Sequence, residues 1–369
     1  MSSAYPELNL EELINKTVEI GAQGIEALVF RNDGAREDHT ATHIDYVNFG
    51  VEQAKRTIEQ FNQAGLKFSI GAYENIIGGD GEHKLKNQNH LLALIRMAAL
   101  MGGDSNNIMV GTFVGYNHGI GSTDHGFQKN LNEYQRVFAP IIKYAEDLGV
   151  TVIYENCPME GWMPASYPTT YNNLSGTLAA RKLMYALIPS LAHGETYDPS
   201  HDIWQHIDPV EVIKASDIHR IKRIHIKTSK LLSTSAKTHW GATYPMQAVD
   251  PALAEKAGIP YCTNSWDRHH YEAMLPGFGG TDSMDWNAFM SVLKERGYKG
   301  PFPIENEANN SKGTGNQAAT TQGFKAVSQF LAPLIWPLGQ NGYEYHSEEN
   351  TPLKEALSKN LPLVTMKDL

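Results

Sequence analysis

The sequence predicts an α/β protein folded as a (β/α)8 barrel. Two observations carry this. Apolar, β-branched runs alternate with helically spaced stretches at repeats of roughly 30–45 residues, the pattern of βαβ crossovers onto a parallel sheet. And no glycine-rich phosphate turn follows the first apolar run, as a doubly wound open sheet, the runner-up, usually has. The glycines of "IGGDGEH" are wrongly spaced for a phosphate cradle.

In chain order, Leu10 to Ala22 has helical spacing (Leu10, Leu13, Ile14, Val18) and stops at Gly21. "GIEALVF" (24–30) reads as a strand, His43 to Ala64 as a helix stopped by Gly65, and "LKFSIGAYE" (66–74) as a strand. Leu85 to Met101 is helical up to Gly102-Gly103, "NNIMVGTFVG" (106–115) strand-like, and Phe127 to Leu148 a helix ending at Gly149. "VTVIYE" (150–155), a helix around 172–188, "AHGETYD" (192–198), a short helix near 209–217 and "IKRIHIK" (221–227) follow. A long irregular stretch leads to a helix from Trp286 to Arg296, the strand "GPFPIENE" (300–307) and a helix from Gln322 to Leu334. Each strand precedes a helix, yet the chain opens on a helix where a barrel places its first strand. Strand 1 is therefore expected to be missing: either the chain begins after it or another segment takes its place. The expected organisation is a barrel over 1–335, with an insertion of about 229–284 after strand 7, and a C-terminal tail over 336–369 that wraps the barrel or a partner subunit.

The net charge is −10 and no Lys/Arg-rich run occurs, which disfavours a nucleic-acid partner. The two cysteines, Cys157 and Cys262, form no C-x-x-C pair, so a disulfide framework or zinc ribbon is not expected. No stretch has the length of a membrane span. "MSSAYPELNLEEL" lacks the basic and apolar regions of a signal peptide, so a cytoplasmic location is expected, an export signal lost with an incomplete N-terminus being left open.

Barrel active sites lie at the C-terminal strand ends. Here those ends carry Glu155, then Asp198 and His201 in "YDPSH", His225 in "HIK", and Glu305 and Glu307 in "IENE". One strand-end carboxylate more often caps the next helix, and one histidine on an apolar strand is usually a hydrogen-bonded core residue. Four consecutive strands delivering such groups to one rim point instead to a divalent metal. Oxygen donors with one imidazole suit Mn²⁺, Mg²⁺ or Co²⁺. Such an ion would also compensate the charge of Glu155 at the end of a buried strand.

"YENCPM", "YDPSHDIWQ", "IHIK", "LPGFGGTDSMDW" and "PIENE" resemble the sugar isomerase/epimerase branch of the xylose-isomerase-like TIM barrels, over roughly Leu8 to Pro333. That superfamily includes ketose 3-epimerases, inosose dehydratases and endonuclease IV. The resemblance implies one divalent ion held by Glu155, Asp198, His225 and Glu305, with Mn²⁺ expected and Mg²⁺, Co²⁺ or Zn²⁺ compatible. It implies no nucleotide cofactor. His201 would contact substrate or a metal ligand. The chain departs from the common H-x-K-D pattern: Thr228 stands where the acid usually does, while Lys227 is retained.

The implied activity is isomerisation or epimerisation of a ketose-like or oxidised sugar. The metal would stabilise the enediolate, Glu155 and Glu305 would exchange the proton, and His201 and Lys227 would orient hydroxyls. On the same rim Glu74, Tyr116 and His118 are candidates for substrate contact or for capping. Trp162 is a candidate sugar platform, and Arg268, His269 and His270 lie in an insertion expected to cover the barrel mouth. The alternatives are a lyase on the same metal site, with His269 or His270 as the acid for a leaving group, an endonuclease IV-type nuclease, and a non-catalytic sugar-binding protein. The expected partner is a small sugar. Nucleic acid and membrane are not expected, and self-association into a homo-oligomer is left open.

Overall fold

The computed structural model describes residues 1–33, 43–102, 109–159, 162, 172–231, 238–239, 250–259, 271–277, 283–308, 316–335 and 361–369. Helix α1 (Leu10–Ile20) starts in a capping box, the Asn9 side chain accepting from Glu12 N and the Glu12 side chain from Asn9 N. It ends at Gly21, whose φ of 83° lies in the left-handed region that glycine tolerates. Strands β1 (Gly24–Leu28), β2 (Lys67–Gly71), β3 (Met109–Thr112), β4 (Thr151–Glu155), β5 (His193–Tyr197) and β6 (Ile221–Ile224) form one parallel sheet in sequence order. Between them run α2 (Val51–Gln63), α3 (Gly81–Met101), α4 (His118–Gly121), α5 (Gly126–Asp147), α6 (Leu178–Leu187), α7 (Pro199–Trp204) and α8 (Pro209–Ala215). Parallel order with helical crossovers is the barrel topology the alternation predicts.

Several boundaries differ from the sequence reading for identifiable reasons. Helix α2 begins at Val51, not at His43, because the Asp45 side chain accepts from Val47 N and Gly50 is extended. A local side-chain bond of that kind competes with helix. The expected helix over 172–188 begins at Leu178. Before it, the side chains of Asn173 and Ser175 donate to the backbone of Glu155 and Cys157, which holds a single 3-10 turn. Helix α3 starts at Gly81, four residues before the sequence reading, because Asp80 caps it by accepting from His83 N.

The strand expected at 300–307 reaches β6 through one isolated parallel bridge, Ile226 to Ile304. Pro301 O and Pro303 O accept from Ile224 N and Ile226 N, and Glu305 N donates to Ile226 O. The two prolines accept but have no N–H to return, so a full ladder cannot form. On the far side of this segment Met1 N donates to Ile304 O, while Leu28 N of β1 donates to Ser2 Oγ. The turn Ser2–Ala4 thus stands between the last strand and β1, where strand 1 was expected to be missing.

The insertion opens as an antiparallel ribbon, β7 (Thr228–Leu231) with β8 (Tyr271–Met274), Thr228 opposite Met274. It lies on α7, where the rings of Trp204 and Tyr271 stack 5.1 Å apart. A short helix α9 (Pro251–Ala257) follows β7 in the chain, and α10 (Trp286–Glu295) and α11 (Gln317–Ile335) follow β8. Apolar side chains from β1 to β4 and from α3 and α5 make one core, and those of β6, α8, α10 and α11 a second. The last nine residues of the tail pack on the barrel flank: Arg96 Nε of α3 donates to Leu361 O at 2.6 Å, and Met366 N to Asn89 Oδ1. Among the described residues no helix is long and apolar enough to cross a membrane.

Candidate metal centre

Glu155 ends β4, Asp198 follows β5, His225 follows β6 and Glu305 follows Ile304, the residue bridged to Ile226. All four are buried, and one ligand atom from each falls within 4.8 Å of the others. Backbone bonds fix the first two. Asn156 donates to Asp198 O through its amide and accepts from Asp198 N, so the ends of β4 and β5 are clamped reciprocally.

Further charged groups stand around the four. His201 Nε2 is 3.3 Å from Glu155 Oε1 and 3.4 Å from Asp198 Oδ2. The Lys227 ammonium is 2.9 Å from Asp198 Oδ2, 2.9 Å from Glu305 Oε2 and 2.8 Å from Glu307 Oε2. Burial alone would lower the affinity of Lys227 for its proton, but these carboxylates hold its pKa well above the usual lysine value. Burial and Glu305 push Glu155 up, yet His201 and His225 win and bring it down to about 2. Burial likewise opposes Glu305, and Lys227 and His225 hold it well below the usual carboxylate range. Asp198 is raised, with burial the main cause.

His225 Nδ1 is the atom that tests whether a metal fits. It is buried and makes no well-formed hydrogen bond, although Glu305 Oε2 lies at 3.2 Å and Glu155 Oε1 at 3.4 Å. Burial would lower the His225 pKa, but Glu26 and Glu305 hold it well above the usual histidine value; a divalent cation among the carboxylates can take the place of the Nδ1 proton. A divalent ion with bonds of about 2.1 Å holds its donors about 3 to 4 Å apart, close to the spread of the ligand atoms here, which lie within 4.8 Å of one another. Three carboxylates and one imidazole are the donors hard divalent ions take. The residues fit the group.

The family model described as "Xylose isomerase-like TIM barrel" matches residues 14–332. The chain belongs to that family. A probable 3-DHS dehydratase involved in petrobactin synthesis from Bacillus anthracis superposes with a TM-score of 0.55 at 16% identity, covering 90% of this chain and 96% of that one. An L-ribulose 3-epimerase gives 0.52 at 17%, covering 92% and 95%. A 3-keto-D-glucoside 4-epimerase from E. coli gives 0.54 at 13%, covering 88% and 96%. At such identities the likeness is one of fold. No curated protein matches the sequence significantly.

Of the other sequence candidates, Glu74 is buried just beyond β2. His118 is half-buried, its Nε2 2.9 Å from Asn172 Oδ1, and its ring lies 5.5 Å from that of Tyr116. Trp162 meets Phe113 edge-on at 5.4 Å, Phe113 lies 5.1 Å from Tyr73, and Tyr73 lies 6.2 Å from the His225 ring. Rings therefore lead from the cluster to Trp162. Arg268, His269 and His270 lie outside the described residues. Thr228 is buried at the start of β7, and Glu307 supplies a carboxylate to Lys227.

The sequence reading missed Glu26, Tyr73 and Arg223, which are buried beside His225. One signal was present. In "IKRIHIK" Arg223, His225 and Lys227 alternate, and alternate residues of a strand share a face.

Proposed function

We propose that the protein is a metal-dependent isomerase or epimerase of an unphosphorylated ketose-like or oxidised sugar, moving a proton beside a carbonyl. One observation carries the reading: the two glutamates of the cluster stand at the end of β4 and next to Ile304, each with its own nitrogen partner. Glu155 has His201 and Glu305 has Lys227.

A divalent cation held by Glu155, Asp198, His225 and Glu305 would act as a Lewis acid on a carbonyl oxygen, favouring loss of the neighbouring carbon-bound proton. One glutamate carboxylate takes that proton; the other, once it has taken up a proton from solvent, delivers it to the product. Both are held ionised at neutral pH by their partners, as a base must be. His201 and Lys227 orient hydroxyls by donating to them. Trp162, at the end of the row of rings, offers an apolar face to the sugar's C–H side, a use for which aromatic side chains are suited. Lys227 is already shared among three carboxylates, which supports a neutral substrate over a phosphorylated one.

The test is incubation of the Mn²⁺-loaded protein with free ketoses and 3-keto-glycosides in D₂O, read by NMR. An isomeric product carrying solvent deuterium at one carbon is expected. An unsaturated or cleaved product would replace this reading with a lyase.

A further inference from the structure

Beneath the cluster the barrel interior is polar. Glu26, in the middle of β1, is 1% exposed. Its Oε2 lies 2.8 Å from His225 Nε2, and its Oε1 lies 2.8 Å from Arg223 Nη2 and accepts from the Tyr73 hydroxyl. Arg223 is fully buried and donates also to the Tyr73 hydroxyl at 2.7 Å, to Ser69 Oγ at 2.9 Å and to Thr196 Oγ1 at 3.0 and 3.2 Å. These partners come from β1, β2, β5 and β6, so the network crosses the barrel. It also explains a glycine: a Cβ at Gly111 of β3 would stand 2.4 Å from Arg223 Nη2 and 2.8 Å from the Tyr73 hydroxyl.

We infer that Glu26 is a positioning residue for the metal centre, acting through His225. Both oxygens of Glu26 are engaged, and Arg223 and Tyr73 fix Oε1, so Oε2 can only accept. Nε2 of His225 must then carry a proton, so Nδ1, which faces Glu155 and Glu305, is the nitrogen left to exchange its proton for a metal. A carboxylate behind a metal-bound imidazole fixes its tautomer and ring orientation and raises its basicity as a ligand. Arg223 keeps the Glu26 charge affordable in the core and is held from three other strands. The inference rests on the metal site proposed above and adds a residue that no strand-end pattern picks out.

Two measurements test it. In the first, Co²⁺ binding to wild type and to Glu26→Gln is measured by calorimetry, with near-ultraviolet circular dichroism as the check on fold. About 10- to 100-fold weaker binding by the variant is expected. Equal affinity would overturn the inference while leaving the metal site standing. The second needs no substitution and covers the case in which the variant fails to fold. Nitrogen-15 NMR of [¹⁵N]histidine-labelled, Zn²⁺-loaded wild type should show His225 protonated at Nε2 and metal-bound at Nδ1. The opposite tautomer would overturn the inference. Wild type that takes up neither Co²⁺ nor Zn²⁺ would remove the metal site itself, and the role of Glu26 with it.

Discussion

The Lys227 ammonium lies 2.9 Å from Glu305 Oε2, the same oxygen that stands 3.2 Å from His225 Nδ1. Lys227 is thereby a structural counter-charge as well as a candidate donor to substrate. Replacing it by methionine strands Asp198, Glu305 and Glu307 without their cation. Removing one partner of a buried ion pair costs about 3–5 kcal/mol. Urea unfolding of metal-free Lys227→Met should show a loss of that order, and millimolar Mn²⁺ should restore part of it. A loss below about 1 kcal/mol would mean that the ion pairs do not hold the site together.

His225→Ala deletes the one nitrogen donor of the cluster. Elemental analysis after dialysis should find stoichiometric divalent metal in wild type and little in the variant. Full occupancy in the variant would break the assignment of His225 as a ligand.

Glu155→Gln and Glu305→Gln keep size and shape while removing the base. Each should fold and slow proton exchange between substrate and D₂O by roughly 10²- to 10⁴-fold. Near wild-type exchange in both would move the proton transfer to His201 or Lys227.

The candidate site was more legible in the sequence than the elements around it. Glu155, Asp198, His225 and Glu305 each follow or end an apolar run, so a strand-end pattern finds them. Glu26 does not stand at a strand end. It sits mid-strand in "GIEALVF", and only the contact with His225, 199 positions away in sequence, gives it meaning. The last strand was legible as a strand but not as a poor hydrogen-bond donor until Pro301 and Pro303 were placed against β6. The start of α2 was misread because the Asp45–Val47 turn has no apolar periodicity to mark it.

A buried histidine of α3, His90, gives the protein a pH dependence of its own. Burial, helped by Arg31, lowers the pKa of His90 to about 3, so the folded state keeps it neutral. In the unfolded chain it takes up a proton near its ordinary value of about 6.5. Its contribution to stability is complete above that value and is lost as pH falls from 6.5 towards 3. The slope is about 1.4 kcal/mol per pH unit. Urea titrations at pH 6, 5 and 4 should show a shallower loss for His90→Gln than for wild type, by about that slope. Parallel pH curves would mean that His90 is accessible to protons in the native state.

The proline-punctuated pairing of β6 with residues 300–307 has a consequence for how the protein breathes. Segments held by few backbone bonds open before the rest of a domain does. This seam has three such bonds, from Ile224 N, Ile226 N and Glu305 N. Glu305 rides on the loosely stitched side, and His225, whose N donates to Tyr197 O of β5, on the other. Deuterium should therefore replace the amide hydrogens of Ile224, Ile226 and Glu305 sooner than those of β2 to β4. A cation gripping both banks of the seam would act as a rivet, slowing that exchange more than any other in the molecule.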